Sequence, residues 1–289
     1  MSLTPGLLYL AASIACSVTV AAMLKLARGW RIDVRQAIAV NYAVAATLCW
    51  ALLRPASDTL FAAGMPWLTL AALGILLPSV FLAMAQAVRH AGVARSDAAQ
   101  RLALFIPLIA AFLLFGETPD GRKLAAIALA FCALYCLLRR PSPDGEPAEG
   151  GRDRWLWPLI VWAGYGVIDV LFKQVARTGT AFSGALLLAF MLAGMLMLGY
   201  LVWRRARWEW RHALAGVALG LANFGNILTY IRAHQSLPGH PSVVFASMNM
   251  GVIALGALIG ALAFRESLSR LNLLGLALAL AAIVLMIPR

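Results

Sequence analysis

The sequence predicts an all-α integral membrane protein: ten transmembrane helices arranged as two inverted five-helix repeats. Three observations predict it. Apolar residues make up 62% of the 289-residue chain and charged residues 12%. Soluble domains carry about 25% charged residues, so one soluble core cannot hide this much apolar surface, and a bilayer is the solvent that fits. Ten apolar stretches approach the ~20 residues that a helix needs to cross a bilayer. Finally, one segment is written twice. FGETPDGRKLAAIALAFCALYCLLR ends at Arg139, and FRESLSRLNLLGLALALAAIVLMIPR ends at Arg289. Glu117 and Glu266 stand 149 residues apart, and the motifs MLK (ending at Lys25) and LFK (ending at Lys173) stand 148 apart. A near-constant offset over half the chain argues for internal duplication. In a hydrophobic chain, duplication points to a transporter with its site between two repeats.

The expected spanning cores, in order, are 5–25, 36–54, 67–88, 97–115, 120–138, 155–175, 183–203, 212–233, 242–263 and 270–287. The N-terminus lacks a basic stretch before its apolar run, so the first core reads as a spanning helix and not as a cleaved signal peptide. Several joints are short, as at Glu117 to Asp120 and Glu266 to Ser269, which makes the flanking helices antiparallel neighbours. An acid at such a joint favours the positive end of the next helix dipole, a structural role open to both glutamates. Pro78, Pro107 and Pro158 are expected to kink their helices, each freeing a backbone carbonyl. Small residues at 216 and 220, and at 256 and 260, have the spacing that lets helix backbones approach closely in lipid.

The soluble-looking segment RRPSPDGEPAEGGRDR, residues 139–154, is rich in Pro, Gly and charge. It reads as a flexible linker. It divides the chain into a first repeat, 1–140, a linker, 141–154, and a second repeat, 155–289. Five helices per repeat is an odd number, so two copies of one unit insert with opposite orientation. Sixteen Lys and Arg lie in the joints after odd-numbered helices and seven after even-numbered ones or in the tail. By the positive-inside rule this puts the odd joints in the cytoplasm and both termini outside.

The net charge of +12 is spread over the ends of apolar runs, so it does not point to nucleic acid. Cys16, Cys49, Cys132 and Cys136 all lie inside apolar runs. With no histidine or second cysteine pair nearby, they read as small core residues and not as a metal site. No GxxxxGK[ST] loop occurs, which argues against ATP drive within this chain. No HExxH motif and no Ser/His/Asp constellation suggests an enzyme. No cofactor is expected.

Ionisable residues deep in spanning helices are costly and mark solute and ion pathways. Asp97, Gln100 and Arg101 form one cluster on the fourth core, and Asp169 and Lys173 a second on the sixth. Each acid–base pair is spaced i, i+4, so each can form an ion pair along one helix face. Lys25 is the repeat counterpart of Lys173, and both lysines can also reach toward headgroups. Asp169 has no acidic counterpart in the first repeat. Asn223, Asn226 and Tyr230 share a face of the eighth core, Asn249 lies on the ninth, and Trp162 and Tyr165 on the sixth. Such a lining suits a small polar organic solute, although Asn in a spanning helix also serves as an interhelical hydrogen-bonding group. Lys25, Arg101 and Lys173 against Asp97 and Asp169 leave one net positive charge, which favours zwitterionic or anionic solutes, amino acids first among them. Asp169 is the candidate proton-coupling group.

Leu114-Phe115-Gly116-Glu117 with its following apolar helix, the echo Phe264-Arg265-Glu266, and Lys25 and Lys173 closing the first and sixth helices resemble the EamA type of the drug/metabolite transporter superfamily. The resemblance covers most of the chain. It implies a 5 + 5 inverted repeat with a central cavity lined mainly by helices 1, 3, 4, 6, 8 and 9. It also implies export or exchange of small metabolites by alternating access, as a multi-pass protein of the inner (plasma) membrane. Two departures stand out. The second copy reads FRE, not FGE. Family members usually keep both termini in the cytoplasm with basic residues between helices 2 and 3, where this chain has only Arg54. Orientation is therefore open between the two criteria. The reading is a secondary active transporter, an exporter or exchanger of a small polar metabolite such as an amino acid, working as a monomer or homodimer in the bilayer and without nucleic acid. The alternatives are an exporter of cationic drugs or a flippase-like carrier of a lipid-linked group.

Overall fold

The computed structural model describes residues 4–55, 66–91, 93–138, 153–264 and 269–286. Every regular element among them is helical. In chain order these are α1 (Thr4–Gly29), α2 (Val34–Leu48), α3 (Trp67–Ala91), α4 (Val93–Leu102), α5 (Phe105–Leu113), α6 (Gly121–Leu138), α7 (Asp153–Arg177), α8 (Phe182–Trp203), α9 (Trp210–Ser236), α10 (Pro241–Phe264) and α11 (Arg270–Met286). A π-helical turn, Cys49–Leu53, prolongs α2. Asp33 caps the start of α2 by accepting from the Arg35 N–H.

Seven of these helices are long and apolar enough to cross a membrane: α1, α2 with its π turn, α3, α7, α8, α9 and α10. The stretches 98–113 and 270–286 are apolar but shorter, and α6 has 18 residues. Among the described residues the structure thus gives a multi-pass membrane protein, with seven helices that meet the length and composition of a span and shorter apolar helices beside them. The fourth expected core is not one helix. It breaks between α4 and α5, because Pro107 has no N–H to offer the preceding turn and Ile106 bonds back to the Ala103 carbonyl instead. Pro78 and Pro158, by contrast, stand inside continuous helices α3 and α7.

The exterior matches a lipid solvent. Leu68, Leu113, Leu262 and Val202 are largely exposed. Trp30, Trp155, Trp203, Trp208 and Trp210 stand exposed at the ends of α1, α7, α8 and α9 that meet one face of the bundle, and Trp50 and Trp67 at the opposite ends of α2 and α3. Indoles at both ends of apolar helices form the belts expected at the two membrane surfaces.

The interior is closed by small residues. Among the described residues, the six most extensive packings are α1 on α9, α2 on α9, α6 on α11, α3 on α7, α2 on α8 and α3 on α8. At the α2–α9 crossing, a Cβ placed on Gly216 would lie 2.6 Å from the Val40 Cβ, and one on Gly220 would lie 2.7 Å from the Val44 Cβ. This is the close approach that the 216/220 spacing predicts. The prediction fails at Gly256, where such an atom would have nothing within 4 Å. Buried Ile38 and Tyr42 of α2, Phe190 and Met197 of α8, and Phe245 and Met250 of α10 fill the centre.

Candidate functional site

The repeated motif explains itself first. Gly116 adopts φ +68°, which glycine accepts without a Cβ clash. It ends α5 in a left-handed cap in which the Glu117 N–H bonds to the Ala111 carbonyl. That turn sends Glu117 back into the protein, where it is buried. Its carboxylate accepts from the Ser242 N–H at 2.8 Å and the Ser242 hydroxyl at 2.7 Å. The Lys123 ammonium completes the site at 3.0 Å. The sequence offers Glu117 as a partner for the helix that follows it. The structure corrects this: Glu117 caps α10, in the other half of the chain. Asp120, which adjoins α6, caps that helix by accepting from the Arg122 N–H, while Glu117 reaches it only through the Lys123 side chain. Glu266, Arg265 and the linker 139–152 lie outside the described residues, as does the Phe264 side chain.

Two polar stripes then face each other. On α7, Trp162, Tyr165, Asp169 and Lys173 follow the spacing i, i+3, i+7, i+11. On α9, Asn223, Asn226, Tyr230 and His234 follow the same spacing. This period keeps each set on one helix face. The stripes join where the Tyr230 hydroxyl donates to Asp169 Oδ1 at 3.1 Å. Asn249 of α10 reaches the same carboxylate, while its Nδ2 also donates to the Phe245 carbonyl at 3.0 Å.

The i, i+4 ion pair that the sequence allows between Asp169 and Lys173 does not form. Lys173, 3% exposed, donates to the Pro238 carbonyl at 3.3 Å and lies 6.0 Å from the centre of the Phe115 ring. Tyr230 and Pro238 draw the two charges apart, and among the described residues Asp169 pairs with no cation.

Beyond Lys173 a cavity of about 620 Å³ opens between the ends of α7 and α9 and the start of α8. Lys173, Arg177, Arg232, His234, Gln235 and Ser183 line it, with no carboxylate in its wall among the described residues. The Arg177 guanidinium lies 5.8 Å from the Phe115 ring, and that of Arg232 lies 4.7 Å from the Phe182 ring. His234 is 1% exposed. It is gripped edge-on by Tyr230 and Phe245, with ring centres 4.8 Å away on each side.

The other expected residues divide by role. Asn223 Nδ2 donates to Asn41 Oδ1 at 3.1 Å, tying α9 to α2. Asn226 accepts from the Ser13 hydroxyl of α1 at 2.8 Å. The Trp162 indole N–H donates to the Leu102 carbonyl at 3.0 Å, the acceptor left over at the α4–α5 break. Tyr165 is half-buried beside Asp169. Gln100 and Arg101 are half-buried on α4. The backbones of Lys25 and Asp97 belong to α1 and α4, but their side chains lie outside the described residues, so the Asp97–Arg101 pair does too.

Arg177, Arg232, Gln235 and His234 were not among the expected site residues. His234 had a signal, since it continues the α9 stripe by one more turn. The two arginines had none, because basic residues at helix ends read as membrane anchors. Tyr42, 0% exposed, has a hydroxyl with no partner among the described residues, as does buried Ser247. Among the described residues, no three His, Cys, Asp or Glu side chains are placed to hold a metal.

The arrangement supplies intramembrane charges of both signs, set apart along one helix and opening into a basic cavity. A protein of Haemophilus influenzae described as uncharacterized is 48% identical over 276 residues, covering 94% of each chain. A solved structure, titled only as the crystal structure of a protein, superposes with a TM-score of 0.78 at 16% identity, over 98% of this chain and 96% of that one, which shows a shared fold. Residues 4–139 match the model of the EamA-like transporter family. The chain is a transmembrane protein of the EamA-like transporter family, within the drug/metabolite transporter superfamily.

Proposed function

We propose that the protein is a secondary active transporter of a small polar metabolite, an exporter or exchanger of the amino-acid class, working by alternating access through a central cavity. The observation that carries this reading is the state of Asp169 and Lys173. They stand one helical turn apart on one face, about 5–6 Å between Cβ atoms, and are not paired with each other. A carboxylate and an ammonium held apart in this way fit the ammonium and carboxylate of a zwitterion.

The ten-helix inverted repeat belongs to the same proposal, with repeats at 1–140 and 155–289 and a linker at 141–154. The packings support it: exchanging the two halves turns α1 on α9 into α7 on α3, and α2 on α9 into α8 on α3, and all four are present. Residence in the inner membrane, as a monomer or homodimer, completes the reading.

Counterflow in proteoliposomes tests it. Wild-type protein should exchange at least one amino acid, and Asp169→Ala and Lys173→Ala should each lower the rate tenfold or more. No exchange of any zwitterion, anion or cation sinks the carrier reading.

One observation favours a second reading. Asp169 has no cationic partner among the described residues, which is what an exporter of cationic drugs requires. Counterflow confined to organic cations selects that reading.

A further inference from the structure

The basic cavity is larger and more charged than the zwitterion site requires. Under that reading Lys173 serves the carboxylate of an amino acid, yet Arg177 and Arg232 face the same space of about 620 Å³, with no acid in its wall among the described residues. Glu117, the nearest buried acid on that side, is committed to Ser242 and Lys123. Arginine at a helix end ordinarily complements the dipole, but dipole partners need not converge on one cavity. The half-buried Arg232 guanidinium lies 4.7 Å from the Phe182 ring centre and the exposed Arg177 guanidinium 5.8 Å from that of Phe115, and a planar guanidinium fork is suited to bidentate binding of carboxylate or phosphate.

A second, independent observation points to a ligand. His234 lines the cavity at 1% exposure, and neither ring nitrogen has a hydrogen-bond partner among the described residues. A neutral imidazole always carries one N–H donor and one acceptor, and buried polar groups are nearly always satisfied. A ligand oxygen at the cavity floor would satisfy the donor.

We propose that this cavity binds a second anionic group on the transported solute, so that the preferred class is acidic amino acids, with a side-chain carboxylate or phosphate, over neutral ones. Arg177 and Arg232 bind that group, and His234 donates a hydrogen bond to it. The proposal rests on the transporter reading for the ammonium and α-carboxylate. The same anion chemistry is offered by the phosphate of a lipid headgroup, so the test has an arm for each source.

Thermal stability of the full chain in detergent micelles is titrated with glutamate against glutamine, with phosphoserine against serine, and with short-chain phosphatidylglycerol. A ligand that binds only the folded state raises its stability by RT ln(1 + [L]/Kd). Wild-type protein should bind glutamate and phosphoserine at least tenfold more tightly than glutamine and serine. Arg232→Gln and Arg177→Gln should bring the ratio toward one, and Arg232→Lys should retain part of it, which separates lost charge from a damaged fold. His234→Phe, which keeps the ring packing, should weaken the acidic ligands selectively.

Equal affinity for each acidic and neutral pair overturns the proposal, as does a preference that survives both Arg→Gln changes. A shift with phosphatidylglycerol and with none of the amino acids assigns the cavity to lipid and also overturns it. The two readings fail separately. Counterflow of neutral amino acids without acidic preference removes only the anion site. Selective binding of phosphoserine without counterflow of any solute removes only the carrier.

Discussion

The Glu117 carboxylate holds Ser242 by both its backbone N–H and its hydroxyl, at 2.8 and 2.7 Å. A turn at the end of α5 is thereby fixed to the first turn of a helix 125 residues later. The bond is charge-assisted and buried, the stronger kind.

Breaking it should cost stability in a graded way. Ser242→Ala removes one hydrogen bond, about 1 kcal/mol. Glu117→Ala leaves the Ser242 N–H and the Lys123 ammonium without a buried partner, about 1–3 kcal/mol or more. Unfolding midpoints in detergent should fall in that order, wild type above Ser242→Ala above Glu117→Ala. Equal midpoints for Glu117→Ala and wild type would show the contact to be idle.

Helix approach gives a second contrast. A methyl group on Gly220 would meet the Val44 Cβ at 2.7 Å and the Asn41 carbonyl at 3.0 Å, whereas one on Gly256 meets nothing within 4 Å. Overpacking costs about 1–3 kcal/mol. Gly220→Ala should lower the unfolding midpoint by several degrees, and Gly256→Ala should leave it unchanged or raise it slightly, since Ala favours helix.

Trp162 supports the broken helix. Its indole N–H donates to the Leu102 carbonyl at 3.0 Å, so Trp162→Phe keeps an aromatic ring and removes one hydrogen bond, at about 0.5–1.5 kcal/mol. Reduced stability with an unchanged apparent affinity for solute is the expected pattern. Weakened affinity at unchanged stability would move Trp162 from support to solute contact.

Asp169 is the group proposed to carry the coupling proton. Wild-type vesicles should accumulate solute in response to an imposed proton gradient. Asp169→Asn, which keeps the shape and a hydrogen-bonding oxygen but not the charge, should exchange solute at a reduced rate that ignores the gradient. If Asp169→Asn keeps its response to the gradient, the proton travels by another group. Tyr230→Phe removes the hydroxyl that donates to Oδ1 at 3.1 Å and should shift the pH at which exchange is half-maximal without abolishing it.

The all-helical membrane class was legible because it is written in composition and in the length of apolar runs, which survive without knowledge of contacts. The α9 stripe was legible to Tyr230 by period alone. It stopped one turn short of His234, since a histidine near a helix end gives no sign in sequence that it is buried. The i, i+4 spacing leaves open whether Asp169 and Lys173 pair, because sequence spacing shows reach, not competition. Tyr230 and Pro238, from a helix and a loop remote in sequence, win the two groups. The destination of Glu117 was hidden for the same reason: the acid adjoins one helix in the chain and another in space. The break after Leu102 needed both Pro107 and a distant indole to be seen together.

Among the described residues, the six most extensive helix packings all join a helix before residue 139 to one after residue 152. The halves are interlocked, not merely adjacent, and each supplies the other's core. The first half, once synthesised, has few of its final neighbours and must wait in the bilayer for the second. Maturation is therefore a late, concerted event. A chain severed between residues 139 and 152 and expressed as two polypeptides should reassemble, each fragment acting as the folding template of the other and neither surviving quality control alone.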